Sequence, residues 1–178
     1  ADPEAAAREQ KIAHVYGIVG NILAKYKSGR VPKAFKIIPK LQNWEHLMYL
    51  TRPDEWSPAA CYAATRLLAS NLHAKDVVRF YSDVLLPRVL QDISENKKLN
   101  YHLYRALQKA VYKPDAFNKG ILFPLCQTGG CTLREATVIG SVLSRVSIPM
   151  LHSAAALLYI AEQPYALSNS VFIHSLLD

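Results

Sequence analysis

No run of apolar residues in this sequence approaches the roughly 18 needed to cross a bilayer, and the richest, Ala154 to Ala161, stops far short of it. No secretory leader opens the chain, so a soluble protein with no membrane partner is expected. Cysteine is scarce: Cys61, Cys126 and Cys131 make an odd set of 3. The Cys126-x4-Cys131 pair has no second pair or histidine cluster at zinc-ligand spacing, which argues for buried or free thiols in a reducing compartment and against a metal site. The alternation of apolar and polar residues that marks a half-buried strand is missing throughout. Acid is short in the front of the molecule. Residues 1–120 carry 19 Lys and Arg against 11 Asp and Glu, whereas 121–178 carry 2 against 3. The net charge of +7 therefore belongs to the front, where it favours anionic partners such as RNA or an acidic protein surface, although a merely well-solvated surface has the same balance.

What is present is helical periodicity. Hydrophobic residues make up 51% of the 178, enough for a sizeable core. Ile12, Val15, Tyr16, Val19, Ile22, Leu23 and Tyr26 recur at spacings of three and four, which predicts a helix from Glu9 to Tyr26 that Ser28-Gly29 ends. Ala1-Asp2-Pro3 looks like a leftover of expression, and residues 1–8 are read as a flexible leader to a helical domain over 9–178. Pro32 and Pro39 limit Arg30 to Lys40 to short helical pieces. Asn43-Trp44 opens a short helix to Leu50, Arg52-Pro53-Asp54 marks a turn, and Ser57-Pro58 starts a helix to about Asn71. The pattern Val77, Phe80, Tyr81, Val84, Leu85 continues to Pro87, which kinks that helix or divides it from Arg88 to Glu95.

Further helices are predicted over Lys98–Tyr112 and Asp115–Leu125, with a turn at 127–130. Thr132-Leu133-Arg134-Glu135 fits a capping box that opens a helix through Val146. That helix and the next, from Pro149 to Ala161, are apolar on most of their circumference and are expected to lie between neighbours. The fold class is all-α, with antiparallel helix pairs stacked as a HEAT- or tetratricopeptide-like superhelix; no clean sequence repeat is visible. The last residues, Phe172 to Asp178, run through a helical pattern with no stop signal, so a truncated end is expected. Its apolar face would normally be covered by the next repeat, and two copies could pair through it.

Two basic segments are candidate RNA contacts. The connector carries Arg30, Lys33, Lys36 and Lys40 with no acid among them, and Lys25 and Lys27 precede it. In the helix read over 98–113, Lys98, His102, Arg105, Lys109 and Lys113 fall three or four apart and share one face, with Tyr101, Tyr104 and Tyr112 beside it. Cations offset phosphate charge while tyrosine faces stack on unpaired bases, a mixture suited to single-stranded RNA. A charged stripe opposite an apolar one is equally what any surface helix shows, and the tyrosines also fit a core. Lys119 joins the candidates. Trp44 and Trp56, with Tyr101 and Tyr104, are candidate anchors for a partner helix, core packing being the other reading of the tryptophans.

No catalytic site is read. His152 and Ser153 adjoin, but helical neighbours point about 100° apart. Gly17-x-x-Gly20 and Gly129-Gly130 lack the Lys-Ser/Thr of a phosphate loop, and the histidines show no paired ligand spacing, so no cofactor or metal is expected. The glycine pairs read as close helix packing and a turn.

Several runs carry a family resemblance. They are Lys25-Tyr26-Lys27-Ser28-Gly29-Arg30-Val31-Pro32-Lys33-Ala34-Phe35-Lys36-Ile37-Ile38-Pro39, Leu85-Leu86-Pro87-Arg88, and Lys113-Pro114 with Lys119-Gly120-Ile121-Leu122. To these are added Cys131-Thr132-Leu133-Arg134-Glu135-Ala136 and Ile148-Pro149-Met150-Leu151-His152-Ser153-Ala154-Ala155. Together they are similar to the bystin family over nearly all of residues 12–178. The resemblance implies an all-helical, non-enzymatic factor for processing small-subunit precursor ribosomal RNA and maturing pre-40S particles. Its implied partners are precursor rRNA, small nucleolar RNA, other pre-40S assembly factors, head-region ribosomal proteins and a docked helical peptide. Its implied locations are nucleus and nucleolus, with shuttling to the cytoplasm. The family's acidic amino-terminal region and the continuation of its helical domain are absent here. A purely protein-binding helical adaptor, its basic face meeting acidic chains, is the alternative.

Overall fold

The structure, a computed structural model, describes residues 2–127 and 129–178. Every regular element among them is helical and none is a strand, as the missing alternation predicts. The chain divides into two compact units, Ala1–Leu72 and His73–Asp178, where the sequence reading treats 9–178 as one domain.

In the first unit, helix α1 spans Pro3–Lys25. It starts ahead of the expected Glu9 because Asp2 accepts the Glu4 N–H at 3.0 Å, Pro3 takes the first position where its missing N–H costs nothing, and alanines come next. Residues 3–8, expected to be a flexible leader, are thus helical, though exposed. Gly29 turns the chain with φ 91°, and short pieces come after it: α2 (Lys33–Lys36), a 3-10 turn (Ile38–Lys40), α3 (Trp44–Leu50) and a second 3-10 turn (Pro53–Glu55). Helix α4 (Pro58–Asn71) begins where Ser57 Oγ accepts the Ala60 N–H at 3.0 Å. Leu23, Phe35, Ile38, Met48, Trp56 and Leu68 fill the core. Gly20 lets α1 approach the end of α3: a Cβ there would stand 2.6 Å from the Thr51 carbonyl oxygen. Close packing is therefore the role of this member of the Gly17-x-x-Gly20 pair.

In the second unit, α5 (Ala74–Phe80) passes through a π-helical turn (Tyr81–Leu85) into α6 (Leu86–Asn96), with right-handed helical dihedrals at each junction. Pro87 does not divide the chain, whose backbone stays helical from Ala74 through Asn96. The wider turn just before it shifts the hydrogen-bond register, so the proline sits in the first turn of a new α-helical register where no N–H is needed. Helix α7 (Tyr101–Ala110) is next, then the same device again: α8 (Pro114–Phe117), a π-helical turn (Asn118–Leu122) and α9 (Phe123–Cys126) with Pro124 at its start. The two segments share Phe-x3-(Val/Ile)-Leu-x-Pro, as Phe80, Val84, Leu85, Pro87 and Phe117, Ile121, Leu122, Pro124. This similarity is too short to stand out without the matching backbone. The two π turns pack together at Gly120, whose missing Cβ would lie 2.9 Å from both Tyr81 Cβ and the Val78 carbonyl oxygen.

Of the turn expected at 127–130, Thr128 lies outside the described residues; Gly130 N–H donates to Gln127 O at 2.7 Å. The capping box forms as read: Thr132 Oγ1 accepts the Glu135 N–H at 3.1 Å, and Glu135 Oε1 accepts the Thr132 N–H at 2.7 Å. The helix it opens, α10 (Leu133–Ser144), packs against α7 and α12 (Leu167–Leu177) and buries Ala136, Ile139, Gly140, Val142 and Leu143. Helix α11 (Met150–Ala161) departs from expectation, since only Ala156 and Ile160 are buried. α9 and α12 cover one side of it, and Met150, Leu151 and Leu158 stay exposed on the other, because an all-round apolar helix needs neighbours on both sides to disappear.

Candidate nucleic-acid interface

The connector in the first unit is held from below and charged above. Phe35 and Ile38 are fully buried, Phe35 meeting Trp56 edge to face with ring centroids 5.6 Å apart. Tyr16 donates its hydroxyl to Ala34 O at 2.9 Å, Tyr26 donates to Gly29 O at 2.6 Å, and Ser57 Oγ donates to Tyr26 O at 2.6 Å. With the backbone pinned at these points, Lys25, Lys27, Arg30, Lys33, Lys36 and Lys40 all project into solvent. Among the described residues none of the six is joined to a carboxylate. Six cations with no acid between Lys25 and Lys40 make a positive field that attracts anions.

Both tryptophans belong to this scaffold and not to a docking groove, which corrects their candidacy as partner anchors. Trp44 and Trp56 are buried, and Trp56 Nε1 donates to Thr51 Oγ1 at 3.1 Å, satisfying the one polar atom of the indole.

In the second unit the basic stripe is shorter than the periodicity predicts. Asp92 Oδ2 accepts the Asn100 N–H at 2.7 Å, and Asn100 Oδ1 caps the His102 N–H at 2.8 Å, so α7 begins at Tyr101. Lys98 is exposed but lies ahead of the helix, and Lys113 stands at the entry to α8, so neither shares its face. His102, Arg105 and Lys109 remain on α7, opposite the buried Leu103, Ala106, Leu107 and Ala110. Lys119 is paired with Asp115 at 3.0 Å, which neutralises a charge the sequence reading counts as available.

The cations here lie against rings. Arg105 sits 5.8 Å from the Tyr101 centroid and Lys109 4.7 Å from that of Tyr112. Arg145, at the end of α10, is 6.0 Å from the Tyr104 ring, whose hydroxyl donates to Ser141 O at 3.4 Å. Tyr101 and Tyr112 are 67% and 72% exposed, so they are surface groups and not core; Tyr104 is half-buried. Arg145 escaped the sequence reading, although it is one of only 2 Lys or Arg after residue 120 and ends an otherwise apolar helix. A cation there also complements the helix dipole.

The remaining reactive groups are set aside by their surroundings. All three cysteines are free thiols. Burial pushes the Cys126 thiol up to about 12, with Cys131 nearby adding to the effect, and burial raises Cys131 as well. Both stay protonated near neutrality, the unreactive form. Among the described residues no group of three or more His, Cys, Asp or Glu is placed to hold a metal ion. No helix of the described residues is long and apolar enough to cross a membrane.

A family model for Bystin matches residues 1–178. The chain is 57% identical over 168 residues to Bystin of Monosiga brevicollis, covering 94% of this chain and 41% of the relative. It is 55% identical over 170 residues to Bystin of Homo sapiens, covering 96% of this chain and 39% of the relative. It is also 58% identical over 168 residues to an uncharacterized protein of Schizosaccharomyces pombe, C13G1.09, covering 94% of this chain and 37% of the relative. The chain thus spans about two fifths of the length of these relatives, and across that span it belongs to the bystin family.

Proposed function

We propose that this chain is the RNA-gripping helical part of a non-catalytic ribosome assembly factor. On this reading it holds small-subunit precursor rRNA while the particle is processed and matured towards export. It works beside other pre-40S assembly factors and head-region ribosomal proteins, in the nucleolus and nucleus and then on particles reaching the cytoplasm. It alters no covalent bond. The observation that carries the reading is the connector: six exposed cations, unneutralised among the described residues, on a backbone fixed by Phe35, Ile38 and Trp56. A rigid display of positive charge loses little ordering entropy when it meets a phosphate backbone.

The test is a titration of the chain with structured and single-stranded fragments of precursor rRNA at two salt concentrations. Six phosphate contacts predict a log–log salt slope of about −4 on single strands, a loss of a few hundred-fold between roughly 50 and 200 mM salt. A chain that ignores every RNA in dilute buffer, yet captures acidic peptides, is a protein adaptor instead.

A further inference from the structure

Resting on that RNA-binding reading, we infer that the cleft between α7 and α10 is a seat for one unpaired nucleotide, its base stacked on Tyr101 and its phosphate met by Arg145. The cleft has a volume of about 460 Å³ and is lined by Leu99, Tyr101, Tyr104, Arg105, Gln108 and Arg145. Four properties of this lining converge on a nucleotide.

First, its lining includes the Arg145 guanidinium and no carboxylate, so an anion is favoured over a cation there. Second, an aromatic ring has two faces. Arg105 stands 5.8 Å from the Tyr101 centroid while the residue stays 67% exposed, which leaves much of the ring open to a second planar group. Third, Tyr104 of α7 reaches across to α10, its hydroxyl donating to Ser141 O and its ring lying beside Arg145, so the two helices meet at the cleft. Fourth, Gln108 brings both a donor and an acceptor, the pair needed to meet the edge of a base. Clefts of ~300–1,000 Å³ suit small ligands, so the space fits one nucleotide and not a helix of partner protein. A base inside a duplex cannot offer its face to a tyrosine, so the strand must be unpaired at this point.

The site differs from the connector in what it reads. The connector recognises charge alone, whereas this cleft recognises charge and a base face together. The experiment uses the 178-residue chain and three RNAs of about ten nucleotides: a single strand, the same backbone with abasic positions, and the matching duplex. 2-Aminopurine in the single strand reports stacking. Tyr101→Leu, at an exposed position outside the core, is expected to weaken single-strand binding about tenfold and abolish the 2-aminopurine quenching, with the duplex affinity unmoved. Tyr101→Trp is expected to restore both. Arg145→Gln is expected to weaken the single strand more than its loss of one charge weakens the duplex.

Equal affinity for all three RNAs, unchanged by Tyr101→Leu and Arg145→Gln, would overturn the cleft while leaving RNA binding through the connector standing. No binding to any RNA would remove both. Displacement of the single strand by an acidic tyrosine-containing peptide at lower concentration than by the RNA itself would assign the cleft to a protein partner and overturn the nucleotide.

Discussion

The two basic surfaces carry their charge in opposite ways. In the connector the cations are exposed and, among the described residues, joined to no carboxylate, and the apolar groups Phe35 and Ile38 are buried completely. On α7 the cations rest on tyrosines that are themselves exposed, Tyr101 at 67% and Tyr112 at 72%. On the proposed reading, the first arrangement is a field without shape that would answer to any polyanion, and the second couples the field to flat apolar faces and would answer to a polyanion with exposed bases. Sequence charge counts treat them alike; the difference lies in where the aromatic rings go.

The comparison can be broken most severely at the connector's foundation. Trp56→Ala removes a fully packed side chain and leaves the Thr51 hydroxyl without its indole donor, so a loss of about 3–5 kcal/mol is expected in urea denaturation monitored by circular dichroism. The connector, no longer seated on its aromatic partner, should lose RNA affinity with the fold. Reversing charge without touching the foundation is gentler. The combined Lys33→Glu, Lys36→Glu and Lys40→Glu variant should melt as the parent does but bind RNA at least about tenfold more weakly. Its salt slope on single strands should be about two units shallower, and duplex and single strand should suffer alike. An effect confined to single strands would erase the distinction between the two surfaces.

The equivalent disturbance beneath α7 is Gly120→Ala. The added methyl would press on Tyr81, which donates its hydroxyl to Ala110 O at 2.9 Å and so braces the end of α7. Overpacking of this kind costs about 1–3 kcal/mol, read as a lower midpoint in the same denaturation. The smallest effect is expected at Lys119. Its pair with Asp115 is exposed on both sides, so Lys119→Gln should change stability by less than about 0.5 kcal/mol and leave RNA affinity where it was. A clear drop in affinity would return Lys119 to the interface.

Helix positions were largely legible because burial imposes a period on the sequence. The start of α4 at Ser57-Pro58 and of α10 at the capping box could be read residue by residue, since caps are local chemistry. The π turns before Pro87 and Pro124 could not be read, because a proline at that point is compatible with a kink, a break or a shifted register. The structure has a π-helical turn before each proline, and the two turns approach closely at Gly120. The stripe at 98–113 is over-extended for a similar reason: periodicity continues past both ends of α7, while Asp92, eight residues before Asn100 and outside the repeat, receives the Asn100 N–H where the helix starts. Trp44 and Trp56 were ambiguous because an aromatic residue suits a core and an interface equally.

By itself, then, the sequence determined the all-α class, the helix caps and the concentration of positive charge ahead of residue 120, because each depends on residue type and near neighbours. Tertiary structure decided which cations stay clear of carboxylates, which tyrosines reach the surface, and that Arg145 meets Tyr104 across two helices. Those outcomes depend on contacts between residues far apart in the chain, and no local period records them.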